Sequence, residues 1–138
     1  MSDPLPPHRQ WPLVALVGVG GAVGTLLRAM IESAFPAAPD TIPWQTFVVN
    51  VTGSLLLGFL LEWVTRAHHV GQRLRRGLRL GLGTGLLGGY TTYSTFAVET
   101  LRLGEAPILA LMYVGLSLLV GALAAGLGIV VARRLVRP

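Results

Sequence analysis

Four long apolar stretches restrict this chain of 138 residues to folds built from membrane-spanning helices. They cover residues 13–31, 44–65, 77–103 and 107–132, and each is close to the roughly 20 residues that a helix needs to cross a bilayer. Charged residues make up only 12% of the chain, about half of their share in an average soluble domain. We therefore predict one all-α membrane domain with four transmembrane helices, preceded by a flexible arm at residues 1–12.

The basic residues are all arginines, and most of them flank the apolar stretches. Despite the net charge of +5, this distribution argues against a nucleic-acid partner and is typical of helices held at a membrane surface. Nine of the eleven lie on the side that four spans assign to both termini: Arg9, Arg66, Arg73, Arg75, Arg76, Arg79, Arg133, Arg134 and Arg137. The positive-inside rule then predicts one orientation, with the termini in the cytoplasm.

The third stretch contains the hydroxyl-rich run Gly88-Gly89-Tyr90-Thr91-Thr92-Tyr93-Ser94-Thr95-Phe96, which is costly to place in a lipid-facing helix. We predict that this helix is interrupted at Gly88-Gly89 in mid-membrane, where protein or a water-filled path surrounds it. Carbonyls freed by the interruption suit a cation such as sodium, whereas hydroxyls and ring edges suit a small anion. The alternative is a kink stabilised by Thr and Ser bonds to the helix backbone, with the aromatic residues as ordinary packing.

Two further pairs of polar residues lie four positions apart and share a helix face. Asn50 and Ser54 form one pair in the second stretch, and Tyr113 and Ser117 form the other in the fourth. Each pair is compatible with structural hydrogen bonds between helices or with donors that line a polar path. The glycines inside the spans favour close helix packing, because small residues bring membrane helices together.

Carboxylates are scarce where proton-coupled transport would need them. Glu32 and Glu62 fall near the ends of spans, and Glu99 follows the hydroxyl run by one turn. We expect Glu99 to make a structural bond, or to pair with Arg102, and not to carry protons. No nucleophile, base and orienting group converge in the sequence, so an enzyme is not predicted.

Three motifs that occur in order along the chain resemble the CrcB/Fluc fluoride channels. They are Gly20-Gly21-Ala22-Val23-Gly24-Thr25-Leu26-Leu27-Arg28, then Asn50-Val51-Thr52-Gly53-Ser54 with Gly58, then Thr91-Thr92-Tyr93-Ser94-Thr95-Phe96 with Glu99. The resemblance implies a fluoride-selective channel that exports fluoride passively across the cytoplasmic membrane. It also implies an antiparallel dimer of two oppositely oriented subunits around a structural sodium ion.

The resemblance also implies roles for individual residues. The backbone carbonyls of Gly88 and Thr91 would bind sodium, while Arg28, Gly89 and Glu99 would be structural. The fluoride pathway would be lined by Asn50, Tyr93, Ser94, Thr95, Phe96, Tyr113 and Ser117. This chain departs from the family pattern at Tyr93, where phenylalanine is usual, and at Gly121, where some members have a hydroxyl.

The strong arginine bias conflicts with a self-pairing antiparallel dimer, which needs both orientations. We therefore expect either an antiparallel homodimer or a heterodimer with a related chain of opposite charge bias. A small multidrug-type proton-coupled exporter is the alternative function, although the first span lacks the mid-membrane glutamate expected of it. A third interpretation is an assembly subunit that transports nothing, which leaves the hydroxyl run without a role.

Overall fold

The computed structural model describes residues 10–38, 41–68 and 70–136, and its regular structure within these ranges is helical. The elements are α1 (Trp11–Ala34), α2 (Trp44–Arg66), α3 (Gln72–Leu78), a π-helical stretch (Arg79–Leu87), the single turn α4 (Gly88–Tyr90), α5 (Ser94–Arg102), a 3-10 turn (Leu103–Glu105) and α6 (Pro107–Leu135). Three of them, α1, α2 and α6, are long and apolar enough to cross a membrane. The prediction of an all-α membrane protein is confirmed.

The third span is broken, but three residues later than the sequence suggested. Helical backbone continues from α3 through the π-helical stretch to α4, so residues 72–90 form one first half-helix. It ends where Thr91 turns extended, with φ −74° and ψ 157°, and α5 begins at Ser94 as the second half-helix. The prediction of an interruption at Gly88-Gly89 is therefore wrong, because both glycines are helical.

Two predicted helix boundaries also differ from those in the structure. α1 begins at Trp11, with Pro12 in its first turn, where proline is tolerated, so the predicted arm at residues 1–12 is too long. Residues 1–9 of that arm lie outside the described part of the chain. The first half-helix begins at Gln72, five residues before the predicted start of the third span at residue 77.

The helices pair in an interleaved way that glycine makes possible. α1 packs on the first half-helix, and α2 packs on α6, whereas α1 and α2 make little contact. A Cβ atom on Gly24 would collide with the carbonyl oxygen of Leu86, and one on Gly58 would collide with that of Ala125. Backbones this close confirm the prediction of packing through glycine at these positions. Gly18, by contrast, faces open space.

The two ends of the bundle differ in charge. At one end Glu62 accepts hydrogen bonds from Arg66 at 2.6 Å and from Arg133 at 2.9 Å, which ties the last turn of α2 to the last turn of α6. This end also carries the first turns of the first half-helix, and we call it the basic end. At the opposite end Arg28 forms an ion pair with Glu32 at 3.3 Å. The described arginines are therefore as unevenly distributed as the sequence suggested.

Candidate functional site

The break in the third span is fixed by one side chain of α2. The Asn50 amide donates to the carbonyl oxygen of Thr92 at 2.9 Å, and its Oδ1 accepts from the Thr92 amide N–H at 2.8 Å. One side chain thus satisfies both backbone groups of Thr92, the residue that follows the end of the first half-helix. Gly53, one turn along α2, leaves room for the Thr91 methyl group, with which a Cβ would collide.

The same two bonds leave carbonyl oxygens free at the end of the first half-helix. The Thr92 N–H would continue the helix by bonding to Gly88, but it is bonded to Asn50 instead. The Thr91 N–H closes the last turn on the Leu87 carbonyl oxygen at 3.0 Å. Among the hydrogen bonds of the described residues, none ends on the carbonyl oxygen of Gly88 or of Thr91.

The neighbouring carbonyl, that of Gly89, is already in use. Thr25 and Arg28 of α1 each place a donor 3.4 Å from its oxygen, and the Arg28 guanidinium also pairs with Glu32. A cation at this carbonyl would meet a positive charge at close range. The free carbonyls of Gly88 and Thr91 are therefore the better oxygen donors for a cation.

The hydroxyl groups that follow the break hold the start of α5. The Thr92 hydroxyl accepts from the Thr95 backbone N–H at 3.1 Å and lies 3.1 Å from the Thr95 hydroxyl. The Ser94 hydroxyl lies 3.3 Å from that of Thr92. Ser94 and Thr95 thus belong to a capping cluster centred on Thr92.

A groove of about 470 Å³ lies between α2, the break, α5 and α6. It brings together five residues to which the resemblance assigned roles in binding sodium or lining the fluoride pathway: Asn50, Thr91, Tyr93, Phe96 and Ser117. The rest of its lining consists of Thr92, Gly53, Ser54, Gly121 and apolar side chains of α2 and α6. A few polar groups thus converge on an otherwise apolar cleft, which is the usual composition of a binding site.

The aromatic residues form a row from the groove into the core. The Phe96 ring centroid lies 6.1 Å from that of Tyr93 and 5.2 Å from that of Tyr113. Tyr93 is 81% exposed at the outer end of the row, whereas Tyr113 is fully buried at the inner end. Phe96 sits between the two with its side chain on the groove. Ser117, on the facing helix, has a buried hydroxyl without a hydrogen-bond partner among the described residues.

Behind this row, a buried carboxylate joins three helices. Glu99 accepts hydrogen bonds from the Thr46 and Tyr113 hydroxyls, both at 2.8 Å. Thr46 and Tyr113 are fully buried, and Glu99 is 8% exposed. Glu99 thus makes bonds between helices, while its expected pairing with Arg102 is not among the described ion pairs. Tyr113 is not among the residues that line the groove, although the resemblance implied a place for it on the fluoride pathway with Ser117.

Thr46 was not singled out from the sequence. Its one available signal is its position four residues before Asn50, which places both side chains on the same face of α2. That face is the one that meets the third span, because Asn50 bonds to Thr92 and Thr46 bonds to Glu99.

The fold and the groove define a class: a small helical membrane protein whose interrupted span presents hydroxyl groups and aromatic rings to a cleft. Over residues 15–129 the chain matches the family model described as CrcB-like protein, Camphor Resistance (CrcB). The chain therefore belongs to the CrcB-like family, and the family that its motifs resembled is confirmed.

Its relatives are named as fluoride channels. Fluoride-specific ion channel FluC 1 of Rhodococcus jostii is 41% identical over 121 residues, which cover 88% of this chain and 86% of that protein. The protein of the same name from Ligilactobacillus salivarius is 39% identical over 81% of this chain and 92% of its own length. The one from Cutibacterium acnes is 47% identical over 63% of this chain, and the alignment spans 60% of that relative. The family is one of ion channels and not of enzymes.

Proposed function

We propose that this protein is a fluoride-selective channel that lets fluoride leave the cell passively through the cytoplasmic membrane. The observation that carries the proposal is the groove at the broken third span, where an amide, hydroxyls and aromatic rings converge. The names of the relatives agree with it. The described residues that line the groove include no carboxylate, which favours passive movement over coupling to a pH gradient.

The chemistry of the lining suits a small anion that has lost water. Fluoride is strongly hydrated, so a selective path must replace its lost water with hydrogen-bond donors. The Ser117 hydroxyl is available as a donor because it has no other partner in the described structure. The Asn50 amide group holds Thr92 with one of its N–H groups and has a second N–H. The Phe96 ring can turn its positively polarised edge toward an anion.

The first prediction concerns ion flux itself. Liposomes that contain the purified protein should release fluoride without ATP and without a pH gradient, while chloride release stays at the background of protein-free liposomes. Ion-selective electrodes on matched fluoride-loaded and chloride-loaded vesicles measure both rates. Equal release of the two anions, or release only under a pH gradient, would contradict a passive fluoride channel and favour the exporter.

We further propose that the free carbonyls bind a structural sodium ion in an antiparallel dimer. The carbonyls of Gly88 and Thr91 are oxygen donors without a hydrogen-bonding role, which is the chemistry that a hard cation requires. Two oxygens on one side do not enclose such an ion. A second subunit facing the first would supply two more, whether it is a copy of this chain or a related chain.

The second prediction tests this ion. Purification and reconstitution in N-methyl-D-glucamine in place of sodium should lower fluoride efflux by about tenfold or weaken the dimer, because an ion that binds only the assembled state stabilises it. Efflux and cross-linked dimer are measured on the same preparation. Returning sodium to the buffer should restore both, and equal efflux and dimer content in the two buffers would count against a structural sodium.

A further inference from the structure

The basic end of the bundle contains a second polar cavity, separate from the groove. It measures about 350 Å³ and lies between the last turn of α2 and the first turns of the first half-helix. Its lining consists of Val64, Thr65, Gln72, Arg75, Arg76 and Arg79. Three arginines therefore surround one cavity, and no carboxylate is among the described residues that line it.

These arginines have no counter-charge within the described part of the chain. The nearby carboxylate, Glu62, is already bonded to Arg66 and Arg133. No described ion pair includes Arg75, Arg76 or Arg79. Three like charges around one space repel each other, so an anion between them would be stabilised.

A buried donor at Arg75 points to the same conclusion. The Arg75 Nε is buried and has no hydrogen-bond partner in the described structure. Buried guanidinium donors are normally satisfied, and their planar fork matches the oxygens of a phosphate group. An acceptor held in the cavity would satisfy this donor.

We propose that this cavity binds the phosphate of an anionic membrane lipid. A lipid is the favoured source of the phosphate because the cavity lies at the ends of membrane-spanning helices, at the level of the headgroups. The lipid headgroup thus bridges α2 and the third span at the basic end.

The test uses Trp63, which directly precedes Val64 at the cavity. In a variant with Trp11→Phe and Trp44→Phe, Trp63 is the only remaining tryptophan. Brominated phosphatidylglycerol should quench its fluorescence about fivefold more effectively than brominated phosphatidylcholine at equal mole fraction. Arg75→Gln and Arg79→Gln should each reduce this preference by at least about half, because each removes one of the three charges.

Arg73→Gln is the matched control, because it removes the same charge from the same helix at a position outside this cavity. It should keep the preference for phosphatidylglycerol. Equal quenching by the two lipids in the protein with all its arginines would overturn the proposal, because it would show no preference for an anionic lipid. An equal loss of preference in Arg73→Gln would also overturn it, because the preference would then come from general surface charge and not from this cavity. Arg79 is exposed, so its replacement remains a valid test if Arg75→Gln does not fold. Quenching by brominated phosphatidylglycerol that does not exceed that by brominated phosphatidylcholine, while inorganic phosphate raises the unfolding midpoint of the parent protein and not that of Arg75→Gln, would identify free phosphate as the ligand and overturn the lipid assignment.

Discussion

Phe96→Ile is expected to lower fluoride efflux by about tenfold or more while the protein keeps its fold. Isoleucine fills much of the same volume, but it presents no polarised edge to an anion. A ring edge that contributes about 1.5 kcal/mol to the crossing barrier changes the rate about tenfold when it is lost. The position is suitable because Phe96 lies on the groove between the rings of Tyr93 and Tyr113. Efflux from liposomes at equal protein content measures the effect.

Tyr93→Phe is the control for this substitution. It removes a hydroxyl and keeps the ring that lies 6.1 Å from Phe96, so efflux should stay within about twofold of the parent protein. The size-exclusion profile of both variants should match that of the parent. If Phe96→Ile conducts at the parental rate, the ring contributes packing alone, and the fluoride path does not pass along its edge.

Asn50→Leu is expected to have the largest effect on stability, and with it to abolish efflux. Leucine has a similar size but can replace neither the 2.9 Å bond to the Thr92 carbonyl nor the 2.8 Å bond from its N–H. Each unsatisfied buried backbone group costs about 1–3 kcal/mol. The thermal unfolding midpoint of the protein in detergent should therefore fall strongly, together with fluoride efflux.

Ser54→Ala provides the comparison on the same face of α2. Ser54 lines the same groove, but no described hydrogen bond depends on its side chain, so the unfolding midpoint should change little. An Asn50→Leu protein that unfolds at the same temperature as the parent would show that the break does not depend on this amide.

The position of the break shows what local sequence can and cannot predict. The hydroxyl run correctly indicated an interrupted third span, because such residues are unsuited to a lipid-facing helix. The prediction that Gly88-Gly89 forms the break was wrong. A Cβ on Gly89 would collide with the Gly21 carbonyl oxygen, so this glycine allows close packing within a helix that continues. The actual end is set by Asn50, which lies 42 positions from Thr92 and is invisible to any local pattern.

Part of the candidate site could be predicted from helical spacing, and part of it could not. Helical spacing placed Asn50 and Ser117 on inward faces, and the structure brings both to one groove with Phe96. The same spacing could not predict that Tyr113 and Ser117 have different surroundings, because they lie on one helix face. Ser117 lines the groove, whereas Tyr113, one turn earlier, is buried in the core. The π-helical stretch was also not predicted, because its glycine-rich sequence is equally compatible with an α-helix that contains small residues. The roles of these residues toward fluoride and sodium stay predictions.

The interleaved pairing of the helices has a consequence for how the protein is made. Consecutive membrane helices commonly assemble as hairpins, but here α1 and α2 scarcely touch, and their partners are synthesised later. Both must therefore remain in the bilayer as single helices, which their length and apolar composition allow. The broken third span then emerges beside a complementary glycine surface that is already in place on α1. The third span is the most polar one, and α1 can assist its insertion because α1 is already in the membrane. A substitution that damages the glycine surface of α1 would therefore first show its effect during biogenesis, as third spans that fail to stay in the membrane.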